Sequence, residues 1–257
     1  MGSIFAITNQ KGGVGKTTTS VNLAAALADY GRKVLLIDLD PQGNASTGCG
    51  LDKDDIALTS YEVIMTEAKA ADAIIRPDNL SFDVIPTNSD LTAAEVQLLE
   101  VKLREHRLRL ALESTRDLYD YILIDCPPSL SMLTVNALVA SKGVLIPIQC
   151  EYYALEGLSS LLKTIERIKQ RANPGLEITG LLRTMFDARN NLANQVSRQL
   201  INHFQGKVFH SIIPRNVRLA EAPSHGLPVI NYDRTSRGSI AYMALASELM
   251  RRDKKAA

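Results

Sequence analysis

Apolar residues fall along this chain in two alternating rhythms. Compact runs such as Ile4-Phe-Ala-Ile7, Val34-Leu-Leu-Ile37, Tyr121-Ile-Leu-Ile124 and Val144-Leu-Ile-Pro-Ile148 are almost unbroken, as expected of strands buried on both faces of a parallel sheet. Between them, residues 17–30, 91–115, 151–171 and 237–252 carry apolar positions at helical spacing, and each stretch predicts an amphipathic helix. Further strands are predicted at 81–86, 177–184 and 207–213, whereas the acidic, irregular stretch 51–80 predicts surface loops and short helices. Strands alternate with helices, with no Gly/Ser linker and no repeat. That order predicts an α/β fold, doubly wound, with a largely parallel sheet flanked by helices in one domain over residues 1–257.

The turn between the first strand and the first helix reads Lys11-Gly-Gly-Val-Gly-Lys-Thr-Thr18. Glycines there let the backbone approach an anion closely, while successive N–H groups and the helix N-terminus present positive potential to it. In a phosphate loop of this kind Lys16 reaches the β- and γ-phosphates and the Thr17 hydroxyl ligates Mg²⁺. The common pattern G-x-x-x-x-G-K-[ST] needs a glycine at position 10, where this chain has Gln10, and a second lysine, Lys11, stands beside it. A second cation at that point either crowds the same phosphates or faces those of another subunit.

Two later strands end in acids. Val34-Leu-Leu-Ile-Asp-Leu-Asp40 delivers Asp38 and Asp40, and Tyr121-Ile-Leu-Ile-Asp125 delivers Asp125, all at the carboxyl ends where open α/β sheets bind ligands. Asp40 is the candidate to hold an attacking water, Asp38 to support the metal shell or the loop, and Asp125 to orient Mg²⁺ as a Walker B acid.

Hydrophobic content of 46% with 22% charged residues suits a water-soluble globular chain. No apolar run nears a membrane span of roughly 18 residues, and the N-terminus has no signal-peptide pattern, so a cytoplasmic location is expected. Three widely spaced cysteines, Cys49, Cys126 and Cys150, suggest neither a disulfide framework nor a zinc site. The net charge of +1 conceals an asymmetry: residues 183–257 hold 12 Lys+Arg against 5 Asp+Glu, and residues 1–182 hold 17 against 23. A basic C-terminal part points to an anionic partner.

Taken with Asp38-Leu-Asp-Pro-Gln-Gly-Asn44, Ile124-Asp-Cys-Pro-Pro128, Glu151-Tyr-Tyr-Ala-Leu-Glu-Gly157 and Ile213-Pro-Arg-Asn-Val-Arg-Leu-Ala-Glu-Ala-Pro-Ser-His-Gly226, the loop makes the chain resemble ParA/Soj-type partition ATPases of the deviant Walker A group over nearly its whole length. The resemblance implies an ATP-dependent homodimer that sandwiches nucleotide, binds double-stranded DNA without sequence preference in association with the nucleoid, and is stimulated to hydrolyse ATP by a centromere-binding ParB protein. It further implies that Lys11 crosses to the partner's nucleotide, that Gly12, Gly13, Val14, Gly15, Lys16, Thr17 and Thr18 hold the phosphates, and that Thr17 and Asp125 serve Mg²⁺. By the same resemblance Lys11, Lys16 and Asp40 carry catalysis, Pro214 and Asn216 lie against adenine, and Arg189 and Arg218 meet DNA. Without the N-terminal helix-turn-helix extension of some plasmid relatives, the sequence as given resembles the chromosomal type, and sequence-specific operator binding is not expected.

The principal rival is a MinD-like membrane-surface ATPase, which needs a terminal amphipathic helix with bulky apolar residues opposite lysines. The final stretch 241–255 carries part of that pattern, but its alanines suit packing against the domain better, and no membrane partner is expected. An iron–sulfur reductase of the nitrogenase-iron-protein type would need cysteines placed to bridge two subunits; Cys126 has no suitable companion.

Overall fold

The computed structural model describes residues 2–65, 68–152 and 154–256. Tyr153 of the Glu151 block lies outside the described residues. Seven strands form one sheet: β1 (Ser3–Ile7), β2 (Val34–Asp38), β3 (Asp83–Ile85), β4 (Tyr121–Asp125), β5 (Gly143–Gln149), β6 (Glu177–Phe186) and β7 (Val208–Pro214). Their order is β3-β2-β4-β1-β5-β6-β7, and every pairing of named strands is parallel.

The continuous apolar runs are explained by burial on both sides. Ile4, Ala6, Leu35, Ile37, Ile122 and Ile124 face one core layer, while Phe5, Ile7, Val34, Leu36 and Leu123 face the other. The second layer is covered by the helix Lys16–Asp29 and the C-terminal helix Arg237–Ala256. The first is covered by Met132–Ala140, Ala154–Arg171 and Asn191–His203 among others. Among the described residues no helix is long and apolar enough to cross a membrane.

One expected element differs. The predicted helix over 91–115 is broken into a helix Leu91–Gln97, a 3-10 turn Leu98–Glu100 and a helix Arg107–Ala111. The break is held by the buried Asn136 side chain, whose amide donates to the Arg104 carbonyl and whose oxygen accepts from the Leu108 N–H. A tertiary side chain thus takes the backbone groups that a continuous helix would have paired with itself.

The strand order fixes where a ligand can sit. The chain winds outward from β1 through β2 to β3, returns to insert β4 beside β1, and continues on the other side through β5. That reversal opens a crevice at the carboxyl ends of β1 and its neighbours, where the residue 9–16 loop leaves β1. In register, Asp38 of β2 and Asp125 of β4 are paired positions, and Asp125 is also paired with Ile7.

Candidate nucleotide-binding site

The loop after β1 is shaped by glycines. Gly13 and Gly15 have φ of 72° and 84°, the left-handed region that side chains disfavour. A Cβ placed on Gly12 or Gly13 would meet nothing within 4 Å, so the glycines leave open a space that an incoming group can enter. Gly15 is the N-cap of Lys16–Asp29 and brings no capping side chain; the first N–H groups of that helix are left for an external acceptor.

Lys16 is buried, with 7% of its surface exposed, and among the described residues its Nζ reaches only the Lys11 carbonyl, at 3.5 Å. Burial lowers its pKa against the opposing pull of Asp125 and Asp40. Beside it the Thr17 hydroxyl donates to Asp125 Oδ2 at 2.7 Å, and the Ser20 hydroxyl donates to Asp125 Oδ1 at 2.8 Å. Asp125 is fully buried, and burial together with the nearby Asp38 raises its pKa.

Asp38, also fully buried, ties together both ends of the following loop. Its Oδ1 accepts from the Asp40 N–H at 3.2 Å, and its Oδ2 accepts from the Ser46 N–H and hydroxyl at 2.8 and 2.7 Å. Asp40 accepts from the Gln42 N–H through Oδ1 at 3.1 Å. Among the described residues no hydrogen bond reaches its second carboxylate oxygen, and Asp40 lines the crevice.

The crevice is a cavity of about 500 Å³ whose walls include Gly12, Gly13, Gly15, Lys16, Thr17, Thr18 and Asp40 on one side and Pro214, Asn216 and Leu219 on the other. The loop and the Ile213–Asn216 segment, distant in sequence, therefore meet in one chamber of nucleotide size. Asn216 is also the N-cap of the short helix Val217–Glu221, accepting from the Leu219 N–H.

Four expected residues stand elsewhere. Lys11 is half exposed, and its Nζ is 2.6 Å from Glu151 Oε2 of the same chain, outside the cavity wall. Val14 lines a separate hollow together with Ile148 and Gly157. Arg189 lies in the loop after β6 and is held by Asp187 at 2.9 Å. Arg218, after β7, is 2.8 Å from Glu221 and 3.3 Å from Asp233.

Thr184, Met185 and Tyr242 also line the cavity and belong to no motif. Thr184 carries no pattern signal, since Arg183 interrupts the apolar run before it and Met185 and Phe186 continue β6 after it. Tyr242 carries none either; it lies inside a helix whose period shows only that it is buried.

A family model described as an AAA domain matches residues 2–178. The sporulation initiation inhibitor protein Soj of Bacillus subtilis is 54% identical over 249 residues, covering 97% of this chain and 98% of its own length. The chromosome partitioning protein ParA of Myxococcus xanthus is 53% identical over 254 residues, 98% of this chain and 89% of that protein. A solved structure of cobyrinic acid a,c-diamide synthase from Mycobacterium smegmatis, with bound ATP analog and magnesium, superposes with a TM-score of 0.88 at 36% identity, covering 100% of this chain and 98% of that one. A parallel sheet with a glycine loop after its central strand, acids ending the neighbouring strands, and full-length identity above half to Soj and ParA together establish that the chain belongs to the ParA/Soj family of chromosome-partitioning P-loop ATPases.

Proposed function

We propose that the chain hydrolyses ATP with Mg²⁺ and uses the ATP-bound state to dimerise and to hold double-stranded DNA without sequence preference. The observation that carries this reading is the buried Lys16 ammonium at an uncapped helix N-terminus, beside a glycine loop with open space and the Thr17–Asp125 pair. Such a site is short of negative charge on the loop side and rich in oxygen ligands on the strand side. A polyphosphate chelated to a hard divalent cation supplies both complements. Gly12 to Thr18 would hold the phosphates, Thr17 and Asp125 the Mg²⁺, and Pro214 and Asn216 the base.

Mg²⁺, when bound, offsets charge on the phosphate oxygens. Asp40 accepts a hydrogen from water and aims it at the γ-phosphorus, with its Oδ1 fixed by the Gln42 N–H and its backbone fixed by Asp38. Lys16 and the loop N–H groups stabilise the charge that develops on the transferred phosphoryl group. Lys11 supplies a further cation to the other protomer's nucleotide, exchanging its Glu151 contact for the phosphates. Because a cation given in trans is worth on the order of 10³–10⁵ in rate, turnover is slow until the dimer forms, and a ParB-type partner and DNA accelerate it.

The test is ATPase rate and oligomeric state for the native chain and Lys11→Ala, with and without duplex DNA and a ParB N-terminal peptide. Native turnover that rises with both additions, and a Lys11→Ala protein that binds ATP but stays monomeric, are expected. A Lys11→Ala protein that dimerises normally with ATP would refute the trans role.

A further inference from the structure

A phosphate-binding loop has two sides. Its N–H groups must turn toward the anion, so its carbonyls turn into the protein, where each needs a donor. The residues that provide those donors therefore decide whether the loop is already in its binding shape before the ligand arrives.

Here donors are assigned to the carbonyls of Lys11, Val14 and Gly15. The Lys11 carbonyl accepts from Lys16 Nζ at 3.5 Å. The Gly15 carbonyl accepts from the Thr19 N–H at 2.9 Å and the Thr19 hydroxyl at 2.6 Å. The Val14 carbonyl, between the two left-handed glycines, accepts from the Thr184 hydroxyl at 2.8 Å. Thr184 is buried, with 2% of its surface exposed, and its methyl and Cβ stand 3.9 Å from where a Gly15 side chain would begin. The second arm is Tyr242, whose hydroxyl is 3.2 Å from Thr19 Oγ1. Since the one hydroxyl hydrogen of Thr19 goes to Gly15, Tyr242 must be the donor in that pair. The order is Tyr242 to Thr19 to the Gly15 carbonyl.

We infer that Thr184 is a positioning residue for nucleotide, with Tyr242 acting beside it through Thr19: Thr184 holds the Val14 peptide with its carbonyl turned into the protein and so keeps the loop's N–H groups facing the phosphates. Both residues lie beyond the 2–178 span of the family model. The loop's shape is thus set from β6 and the C-terminal helix. The inference rests on the nucleotide-binding reading of the cavity. It says which groups make that site ready, and it assigns them no contact with the reacting atoms.

Removing the Thr184 hydroxyl leaves the Val14 carbonyl without its donor, and the cheapest repair is rotation of that peptide plane toward the cavity. Rotation places a carbonyl where phosphate must sit, so the loss appears in nucleotide affinity, for ADP as well as ATP. Equilibrium titration of fluorescent ATP and ADP analogues with Mg²⁺ should be run on the native chain, Thr184→Val, Thr184→Ser and Tyr242→Phe, alongside nucleotide-free melting and steady-state kinetics.

Thr184→Val is expected to weaken both nucleotides about tenfold, raising KM with kcat changed less than about threefold, and Thr184→Ser to restore affinity to within about twofold. Tyr242→Phe, one bond further away, should cost about twofold to threefold. If the native chain binds neither nucleotide, the reading of the cavity fails and the inference falls with it. If the native chain binds and Thr184→Val binds equally well, or if Thr184→Ser loses as much as Thr184→Val, the positioning role alone is overturned. Should Thr184→Val fail to fold, the serine and Tyr242→Phe variants decide: native-like affinity in the serine variant with a loss in Tyr242→Phe supports the role, and any other pairing sinks it.

Discussion

Two polar clusters in this molecule are built from similar groups and put to opposite uses. On the outer side of β7, the buried Glu248 of the C-terminal helix accepts from the His210 N–H, from the Ser211 N–H and hydroxyl, and from Arg252. Arg252 in turn donates to the carbonyls of Thr179, Gly206 and Val208 and lies 4.3 Å over the Phe209 ring. Every charge there has its complement in the chain. At the carboxyl end of β1, Lys16 is buried too, yet among the described residues it has one long hydrogen bond, and no hydrogen bond reaches the second carboxylate oxygen of Asp40. The first cluster closes the sheet edge and ties down the last helix; the second holds unsatisfied charge in place for something to bind. Saturation yields stability, and its deliberate absence yields a site.

The largest expected effect separates the two. Lys16→Met should reduce ATP turnover by at least about a hundredfold, since it removes a cation from the transferring phosphate. Its nucleotide-free melting temperature should hold or rise, because the lowered pKa of Lys16 means that the fold carries this charge at a cost. A fall of several degrees in the calorimeter would show that Lys16 is part of the fold's own support and would erase the contrast. Glu248→Ala should do the reverse. It strips the acceptor from two backbone N–H groups and leaves Arg252 part-buried without its carboxylate, at a cost of about 3 kcal/mol. ATP affinity, measured well below the melting temperature, should stay within about twofold.

A smaller effect concerns Asp38 and Asp125, side by side in register and both raised in pKa by burial, with the Asp38 charge adding to the rise at Asp125 and the Asp40 charge to that at Asp38. A carboxyl whose folded pKa lies above its unfolded value of about 4 binds its proton more tightly in the native state. The native state then holds more protons than the unfolded one, so stability contributed at low pH declines as pH rises from about 4 through the raised values toward neutrality. In chelator and without nucleotide, urea unfolding should therefore show lower stability near neutral pH than the rest of the chain would give, by about 1–2 kcal/mol. Asp125→Asn should flatten that slope. Magnesium and ATP, which favour the ionised form, should remove it as well; a slope unchanged by either would mean that the pair is ionised throughout.

The same division explains what could be read from the linear chain. Fold and loop were legible because burial on both faces demands uninterrupted apolar runs, and because close approach to phosphate demands glycine at 12, 13 and 15. Asp125 stood out as an acid ending a run that had no other reason to end in one. The break within 91–115 was not legible, since it depends on Asn136 arriving from a later helix. Thr184 and Tyr242 were hidden for a similar reason: their partners, the Val14 carbonyl and the Thr19 hydroxyl, come from a distant stretch of the chain, so no local side-chain pattern marks them.

The smallest expected effect tests a third condition between saturated and open. Arg189 is 91% exposed yet held by Asp187, whose pKa is pulled down to about 2, chiefly by the Arg189 side chain. An exposed pair of this kind is worth little, so a DNA phosphate can compete for the guanidinium at small expense. Arg189→Ala should weaken duplex binding a fewfold and reduce the salt slope by about one. Asp187→Asn should strengthen it, because the competing carboxylate is gone. Arg218 faces two acids, Glu221 and Asp233, so more of its charge is already answered, and Arg218→Ala should cost less than Arg189→Ala in the same titration. If the order of the two arginines is reversed, local pairing does not set their share of the proposed DNA contact, and the position of each on the proposed dimer does.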